Sequence, residues 1–332
     1  MPEGPEVRRA ADRLHDALAG KPIEAIGART RDAKAWLNEH ADDLLGLRVA
    51  RVTAHGKHLL GTIGGPPGSY FFHSHFLMWG RWLVVAPDDE AVATRDRRER
   101  ARIVVPDAAA LLYSAPTFDI GPGDPYDALP YLRRLGPDVL DEPFDAAAFF
   151  ERLDAEPDRT IGAALLDQTV AAGIGNYLRA EILYACRMDP WRLVGDLDGA
   201  ERACLAETVP LLCRRAYEHG GRTATEEEQV AMKADRDLRY SPFAKDSNTR
   251  HWVFRRTNLP CLGCDDYVRQ ERQVTRTWEG DDGETVEKTR IIYFCPTCQG
   301  TSVEVKPARP HKDRRPPDHE WTEEPEPEDA DA

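Results

Sequence analysis

The chain has 332 residues, which is long enough for two ordinary domains that each bury a core. It contains no apolar run of the about 18–20 residues that a membrane-spanning helix needs. It also starts without the basic and apolar stretches of a secretory signal. We therefore expect a soluble cytoplasmic protein that makes no contact with membranes.

The net charge of −14 argues at first against a nucleic-acid partner, but the charge is unevenly distributed. Residues 318–332 hold eight acidic side chains and no Lys or Arg, and the net charge without them is −6. Residues 233–276 hold ten Lys and Arg against six Asp and Glu. Arginine outnumbers lysine 36 to 8, which suits bidentate phosphate contacts, although a biased genome composition gives the same ratio.

The first half of the chain begins with an amphipathic helix at residues 3–18 and continues as strands. The helix carries an apolar stripe formed by Val7, Ala10, Ala11, Leu14 and Leu18. Short strand-like runs separated by Gly and Pro turns then predict a largely antiparallel β domain. These runs cover residues 48–52, 58–63, 70–76, 82–85, 101–105 and 110–113. The Pro- and Gly-rich residues 121–143 indicate an interdomain connection.

The second half predicts helices first and strands later. Helical periodicity covers residues 146–153, 161–170, 176–185 and 201–217. Residues 220–248 are polar and predict a loop, and strand-like character returns at 251–298. Beyond residue 306, proline and charge dominate, and we expect disorder.

These patterns predict an α+β fold with five segments. They are an N-terminal antiparallel β domain with an N-terminal helix (1–125), a linker (126–143), a helical domain (144–248), a cysteine-bearing β-hairpin (249–300) and an acidic, Pro-rich tail (301–332).

Two residues at the start of the chain could carry chemistry. Removal of Met1 would leave Pro2 with a free secondary amine, and an α-amino group titrates near 8, so part of it is a neutral nucleophile at neutral pH. Attack on a sugar C1′ would expel a base and give an iminium ion, from which the 3′ phosphate can be eliminated. Glu3 could protonate the sugar ring oxygen. The alternative is that Glu3 and Glu6 are acids that complement the helix dipole, and a proline at position 2 alone indicates little.

Four of the seven cysteines predict a metal site. Cys261 and Cys264 form one Cys-x-x-Cys pair and Cys295 and Cys298 another, as a tetrahedral Zn–S₄ site requires. Thirty residues separate the pairs, and residues 280–283 (Gly-Asp-Asp-Gly) indicate a hairpin turn between β-branched runs. A redox role would need a separate explanation for each pair. Four cysteines leave no open position, so we expect one structural Zn²⁺.

Residues 172–176 (Ala-Gly-Ile-Gly-Asn) precede a helix. The glycines permit a tight turn, and Asn176 would cap the helix and leave backbone N–H groups free for a phosphate. An ordinary helix–helix connection is the alternative.

Together these pieces resemble the formamidopyrimidine-DNA glycosylase/endonuclease VIII (Fpg/Nei) superfamily over residues 2–300. The matching motifs are Pro2–Val7, Gly56–Leu60, residues 165–176 with Glu181, and residues 290–299. The resemblance implies that the N-terminal β domain is a β-sandwich, that a helix–two-turn–helix domain and a zinc-finger hairpin follow it, and that damaged double-stranded DNA is the partner. It also implies a nucleoid-associated monomer. It implies a bifunctional DNA glycosylase/AP lyase of base excision repair that acts through a Schiff base on Pro2.

The resemblance also implies roles for further residues. Lys57 would bind the phosphate next to the lesion, and Asn176 and Arg290, the latter at the hairpin tip, would bind phosphates that flank a flipped nucleotide. Leu77, Met78 and Trp79 lie where the superfamily carries the wedge that fills the gap in the duplex. The alternatives are a solvated strand lysine for Lys57 and β-domain core for the wedge.

Within the superfamily the chain is more similar to endonuclease VIII. The motifs that favour it are residues 2–14, 112–115, 136–140 and 175–179. This predicts oxidised pyrimidines as substrates and leaves two alternatives, an Fpg-type enzyme for oxidised purines and a non-catalytic protein that binds damaged DNA. The long hairpin, the Leu-Met-Trp wedge and the acidic tail depart from the superfamily pattern. The tail could compete with DNA for the cleft.

Overall fold

The computed structural model describes residues 2–65, 68–94, 96–239, 248–280 and 283–309. The predicted disordered tail therefore lies mostly outside the described residues, and so do the two central residues of the predicted hairpin turn. No helix in the described ranges combines the length and apolar character needed to cross a membrane.

The first half forms a helix-flanked β-sandwich, as the sequence predicts. Its elements in chain order are α1 (Gly4–Leu18), β1 (Ala25–Ala28), α2 (Arg31–Leu44), β2 (Val49–His55), β3 (His58–Ile63), β4 (Tyr70–His75), β5 (Arg81–Val85), α3 (Glu90–Thr94), β6 (Glu99–Val105), β7 (Ala108–Tyr113) and β8 (Thr117–Pro122). Two antiparallel four-stranded sheets have the orders β1-β6-β7-β5 and β2-β3-β4-β8. Side chains of both sheets meet in one core, which includes Ile63 and Phe72 from one sheet and Ile103 and Leu112 from the other.

Helix α1 packs its apolar stripe onto this sandwich. All five predicted stripe residues are buried and belong to the same core. Their spacing of three and four residues places them on one helix face, so their burial is what holds α1, and with it the start of the chain, against the sheets.

The predictions for this half lack four of its elements, namely β1, α2, α3 and β8. Helix α2 was not predicted, because only Ala33, Leu37 and Leu44 of its fourteen residues are buried, which is a sparse apolar signal among many charges. Strand β8 occupies the start of the predicted connection and completes the second sheet by pairing with β4.

The second half is helical and ends in the hairpin. Its elements are α4 (Pro125–Ala128), a 3₁₀ helix (Pro130–Arg134), α5 (Ala146–Asp154), α6 (Ile161–Ala164), α7 (Asn176–Ala185), a 3₁₀ helix (Val194–Asp196), α8 (Gly199–Glu218), α9 (Glu226–Ala234), a 3₁₀ helix (Arg236–Leu238), β9 (Arg269–Glu279), β10 (Thr285–Phe294) and α10 (Pro296–Gln299). A disulfide links Cys186, at the end of α7, to Cys204 in α8.

Three predictions for this half were wrong in part. The helix predicted at 161–170 ends at Ala164 and continues as turns. The loop predicted at 220–248 contains α9, whose N-terminus is closed by a capping box of Thr225 and Glu228. The strand-like character predicted from residue 251 begins only at Arg269, because the preceding residues form turns and bends around the first cysteine pair.

The zinc-finger hairpin is long and antiparallel, as predicted, but Arg290 does not lie at its tip. Arg290 pairs with Gln273 in the middle of β10, and the turn lies beyond Thr285. The pairing also shifts between Lys288 and Thr289, which leaves Thr275 without a partner as a β-bulge.

Candidate active site at the domain seam

The seam between the two domains is formed by the first residues of α1 and the turn that precedes α7. The carboxylate of Glu3 accepts hydrogen bonds from the backbone N–H groups of Gly175, Tyr177 and Leu178, at 2.7, 2.9 and 3.2 Å. Glu3 is only 1% exposed. A carboxylate that bonds the unpaired N–H groups at a helix start acts as a cap and is stabilised there by the helix dipole. Glu3 therefore caps α7, a helix of the other domain.

This geometry corrects the prediction for Asn176. The helix starts at Asn176 itself, with Gly175 as the preceding cap residue. Three of the N–H groups predicted to be free for a phosphate are bonded to Glu3 instead. The contact joins residues 172 to 175 positions apart, so the local sequence could not reveal it.

Close approach of backbones makes this contact possible. The N–H of Gly4 donates to the carbonyl of Gly173 at 2.9 Å. A Cβ added to Gly4 would lie 2.9 Å from the Cα of Gly173, and one added to Gly175 would lie 2.3 Å from the Cδ of Glu3. Gly173 also has a φ of 117°, which L side chains rarely adopt. Glycine is therefore required on both sides of the seam.

Lys57 lies at the same seam, in the turn between β2 and β3. Its ammonium group donates to the carbonyl of Ile174 at 2.6 Å, so it contacts the turn that Glu3 caps. Burial lowers the pKa of Lys57, whereas the nearby carboxylate of Glu3 opposes this shift. Lys57 is thus a half-buried cation beside the acid at position 3 and not a solvated strand lysine.

The same proximity sets the protonation of Glu3. Burial raises the pKa of Glu3 to about 7, while the charge of Lys57 lowers it and the carboxylate of Glu6 raises it further. Glu6 accepts a hydrogen bond from the N–H of Glu3 at 2.8 Å, and the two residues form the capping box of α1, so both fit the alternative of helix N-terminal acids, while Glu3 in addition contacts α7. A carboxyl group that is protonated in part at neutral pH can donate a proton.

Sequence reasoning missed Asp138, which ties the seam together. Its carboxylate accepts hydrogen bonds from the N–H of Gly56 at 2.9 Å and from Arg8 of α1 at 3.3 Å. Asp138 is 3% exposed and lies in the motif at residues 136–140. It therefore fixes the position of the turn that carries Lys57 relative to α1.

Arg179 is a second residue that sequence reasoning missed. It is fully buried, and it donates to the side chains of Asn176 and Gln273 at 2.7 and 3.1 Å and to the carbonyl of Ile291 at 2.9 Å. Gln273 and Ile291 belong to the two hairpin strands. One arginine thus connects the start of α7 to the strand that carries Arg290, which is itself exposed. The i, i+3 spacing of Asn176 and Arg179 was the available signal.

The four predicted cysteines converge at the base of the hairpin. Their Sγ atoms all lie within 4.8 Å of one another, with 3.8 Å between Cys261 and Cys298 and 3.4 Å between Cys264 and Cys295. A tetrahedral site with Zn–S bonds of about 2.3 Å separates its sulfurs by about 3.8 Å. The donor set and spacing therefore fit a structural metal ion.

Comparison with known proteins identifies the family. Residues 1–116 match the formamidopyrimidine-DNA glycosylase N-terminal domain, and residues 135–228 match the formamidopyrimidine-DNA glycosylase H2TH domain. The "Probable endonuclease 8 2" of Streptomyces coelicolor is 33% identical over 300 residues, which cover 90% of this chain and 94% of that protein. The "Endonuclease 8" of Escherichia coli is 32% identical over 305 residues, covering 90% and 100%. The chain belongs to the formamidopyrimidine-DNA glycosylase/endonuclease VIII family.

This chain also shares its fold with solved structures. A complex between Lactococcus lactis Fpg and an abasic site containing DNA has a TM-score of 0.67 at 20% identity, covering 90% of this chain and 99% of that one. Members of the family are DNA glycosylases with AP lyase activity, and this chain is a DNA glycosylase of base excision repair for oxidised bases. The resemblance to endonuclease VIII stated from the sequence is confirmed by the relatives.

The predicted wedge of this glycosylase lies outside the β-domain core. Leu77, Met78 and Trp79 are 51%, 59% and 77% exposed in the connection between β4 and β5. In the register of β3 and β4, His75 at the end of β4 is paired with His58, the residue after Lys57. The wedge loop (residues 76–80) and the turn that carries Lys57 therefore emerge from the same end of the central strands of one sheet.

A group of histidines that was not predicted from the sequence lies at this end of the sheet. The ring of His58 is hydrogen-bonded to that of His73 at 3.0 Å, and His73 is bonded to Asp119 at 2.8 Å. The N–H of Leu77 donates to Nδ1 of His75 at 3.3 Å. Burial lowers the pKa of His58 to about 2 and that of His75 to about 4, so both rings are neutral at physiological pH. Neutral rings support the wedge loop without adding charge beside Lys57.

Proposed function

We propose that this enzyme is a bifunctional DNA glycosylase/AP lyase in which Pro2 is the nucleophile and Glu3 the general acid. The observation that carries the proposal is the position of Glu3. The residue next to the N-terminal amine is a buried carboxyl group whose pKa is raised to about 7, and its location is fixed by three hydrogen bonds from the other domain. An acid that only had to complement the dipole of α1 would not need this burial.

The reaction follows from these two groups. Glu3 protonates the ring oxygen as the C1′–O4′ bond opens, and the neutral amine of Pro2 forms a bond to C1′. The bond from C1′ to the damaged base then breaks, the base leaves with its electron pair and takes up the proton that the amine loses, and an iminium ion remains on Pro2. Loss of a proton from C2′ and cleavage of the C3′–O bond release the 3′ phosphate. A second elimination at C5′ and hydrolysis of the iminium ion free the enzyme.

Three residues would hold the DNA backbone. Lys57 would contact the phosphate nearest the lesion, and Asn176 and Arg290 the flanking phosphates. Because Oδ1 of Asn176 accepts a hydrogen bond from Arg179, its amide N–H₂ group is the part that can bind a phosphate, in place of the predicted helix N-terminus. Leu77, Met78 and Trp79 would fill the space left by the flipped nucleotide, because apolar side chains fit a partly unstacked step.

The substrates we expect are oxidised pyrimidines, which the similarity to proteins named endonuclease 8 favours. Single-turnover rates on duplexes with thymine glycol, dihydrouracil or 8-oxoguanine would test this. Faster excision of 8-oxoguanine than of both pyrimidines would contradict it and favour an Fpg-type enzyme.

The four-cysteine cluster would hold one structural Zn²⁺ and supply no step of the reaction, because four thiolates leave no open coordination position. We expect about one zinc per chain by elemental analysis. Strong chelators should remove it and weaken DNA binding, because the hairpin that carries Arg290 is closed by these cysteines. A zinc-free protein with full DNA affinity would contradict this assignment.

Borohydride trapping tests the central proposal. Reduction of the iminium ion should give a covalent complex of the wild-type protein with abasic DNA, and its formation should fall strongly in Pro2→Gly and vanish where Met1 is retained. The control is Pro22→Gly, a proline distant in sequence from the N-terminus. Absence of an adduct with wild-type protein that binds abasic DNA and lacks Met1 would overturn the lyase mechanism.

A further inference from the structure

The outer part of the zinc hairpin extends beyond Arg290 and has no role in the proposed reaction. Val286 lies four positions nearer to the turn than Arg290, in the same strand β10 (Thr285–Phe294). At a rise of about 3.4 Å per residue it lies about 14 Å farther out. The hairpin therefore projects well past the residue assigned to the phosphate beside the lesion.

The register of the hairpin assigns its outer residues to two faces. Directly opposed residues of an antiparallel pair lie on the same face, and alternate residues of a strand share a face. Val286 is opposite Trp278, and Lys288 is opposite Arg276. Successive side chains of β10 alternate between the two faces, so Val286 and Lys288 lie on the same face as Arg290. Their opposed partners, Trp278 and Arg276, lie on that face too. We call Arg276, Trp278, Val286 and Lys288 the outer hairpin face.

The two faces differ in charge. The outer hairpin face together with Arg290 carries three cations and no acid, and it exposes Trp278 by 44% and Val286 by 36%. The reverse face at the same level consists of the pairs Thr277–Glu287 and Glu279–Thr285, with two acids and no cation. A hairpin that only needed solubility would not require its charges to be sorted in this way.

The orientation of the outer hairpin face follows from the inner end of the same strand. Ile292 and Phe294 share the face of Arg290 in β10, and both are fully buried in the core of the helical domain. The outer hairpin face therefore continues the side of the hairpin that is turned towards the helical domain, on which Arg290 emerges.

We propose that the outer hairpin face binds the DNA duplex beyond the lesion. Arg276 and Lys288 would contact phosphates, and Trp278 and Val286 would lie against sugar edges in the minor groove. The inference rests on the proposed DNA substrate, and it favours DNA over a protein partner because of the cations and the continuity with Arg290. A reach of about 14 Å along the duplex axis corresponds to about four phosphates of one strand, because successive nucleotides rise by about 3.4 Å along that axis.

The test measures affinity for duplexes of about 24 base pairs that carry a reduced abasic analogue at the centre. Two shorter duplexes have one flank or the other trimmed to about three base pairs. We expect trimming of one flank, and not of the other, to weaken binding by the full-length wild-type chain about tenfold. The double variant Arg276→Glu/Lys288→Glu and the variant Trp278→Ala should bind the long duplex about tenfold more weakly and lose the effect of trimming.

Salt dependence gives a second readout. Loss of two phosphate contacts should reduce the slope of log affinity against log salt by about two in the double variant. The matched control, Thr277→Ala/Thr285→Ala on the reverse face, should keep the wild-type affinity, slope and response to trimming.

Three results would overturn the proposal: no effect of trimming on the wild type, an equal effect of both trimmed flanks, or variants that keep the wild-type affinity and slope. None of them would affect borohydride trapping on an abasic duplex, which depends on Pro2 and Glu3. Absence of trapping in the wild type would instead remove the proposed lyase function, so the two failures are distinguishable. Unchanged zinc content and melting temperature would establish that the variants are folded.

Discussion

Glu3 and Trp79 mark two contrasting regions of this glycosylase. Glu3 is 1% exposed and accepts three hydrogen bonds across the domain seam, whereas Trp79 is 77% exposed in the wedge loop. The groups that we propose to react thus lie where two domains meet through backbone contacts, and the side chains that we propose for recognition project from the end of a sheet and from a hairpin.

Substitutions in the buried seam and in the exposed wedge loop should therefore have different consequences. A change in the seam alters positions that are fixed by packing, so it affects both the chemistry and the association of the domains. A change in an exposed loop removes a contact with DNA and leaves the free protein nearly as stable as before. We therefore expect the largest effects for substitutions in the seam and the smallest for substitutions in the wedge loop.

The largest effect is expected for Glu3→Gln. An amide cannot donate the proton that opens the sugar ring, so excision of a damaged base should slow by roughly 10²–10⁴-fold. Cleavage at a preformed abasic site, where part of the sugar is already open, should be much less affected. Single-turnover assays on the two substrates measure both steps. If both reactions slowed equally, Glu3 would be a structural cap of α7 and not the acid.

The pH dependence of stability tests the environment of Glu3 directly. Its folded-state pKa of about 7 lies above the ordinary glutamate value of 4.5, so the folded chain binds the proton more tightly than the unfolded chain does. The resulting stabilisation is complete below pH 4.5 and is lost as the pH rises through 7, by up to about 3 kcal/mol. Urea unfolding at pH 5 and pH 8 should show this loss in the wild type, and a smaller one in Glu3→Gln. Parallel pH profiles for the two proteins would contradict it.

The sequence revealed those parts of this seam that depend on local patterns. The stripe of α1 and the paired cysteines are set by neighbours within a few residues, and they were predicted correctly. The α7 cap was assigned to Asn176 because the actual cap, Glu3, lies at the other end of a contact between domains. The same limit applies to Asp138 and Arg179, whose partners lie up to 130 positions away.

Element lengths were the other source of error. Arg290 was placed at the hairpin tip because a motif near the last cysteine pair fixes its distance from the metal site but not the length of the strands beyond it. In α9, the Thr225-x-x-Glu228 capping box was present in the sequence but was outweighed by the polar composition of its surroundings.

The next effect tests how closely the two domains must approach. Gly175→Ala places a Cβ 2.3 Å from the Cδ of Glu3, so the carboxyl group or the turn must move. Since a misplacement of about 1 Å can cost about 100-fold in rate, we expect a loss of that size in base excision. Gly199→Ala is the matched control, because a Cβ there meets nothing within 4 Å. Equal single-turnover rates of the Gly175→Ala variant and the wild type would show that the seam tolerates displacement.

The smallest effect is expected for substitutions in the wedge, which should change the stability of the protein little. In the triple variant Leu77→Ala/Met78→Ala/Trp79→Ala, the free energy of unfolding should change by no more than about 0.5 kcal/mol per position, because all three side chains are mostly exposed. Excision from duplex DNA should slow about tenfold, since the flipped state loses the apolar contacts that replace the stacked base.

Excision from a single-stranded oligonucleotide distinguishes a wedge from a general DNA contact. It should change less than excision from a duplex, because a single strand has no stacked gap to fill. Leu211→Ala/Val230→Ala is the control, since it removes comparably exposed apolar side chains from α8 and α9. The wedge assignment would be contradicted if the triple variant lost several kcal/mol of stability. It would also be contradicted if excision slowed equally on both substrates.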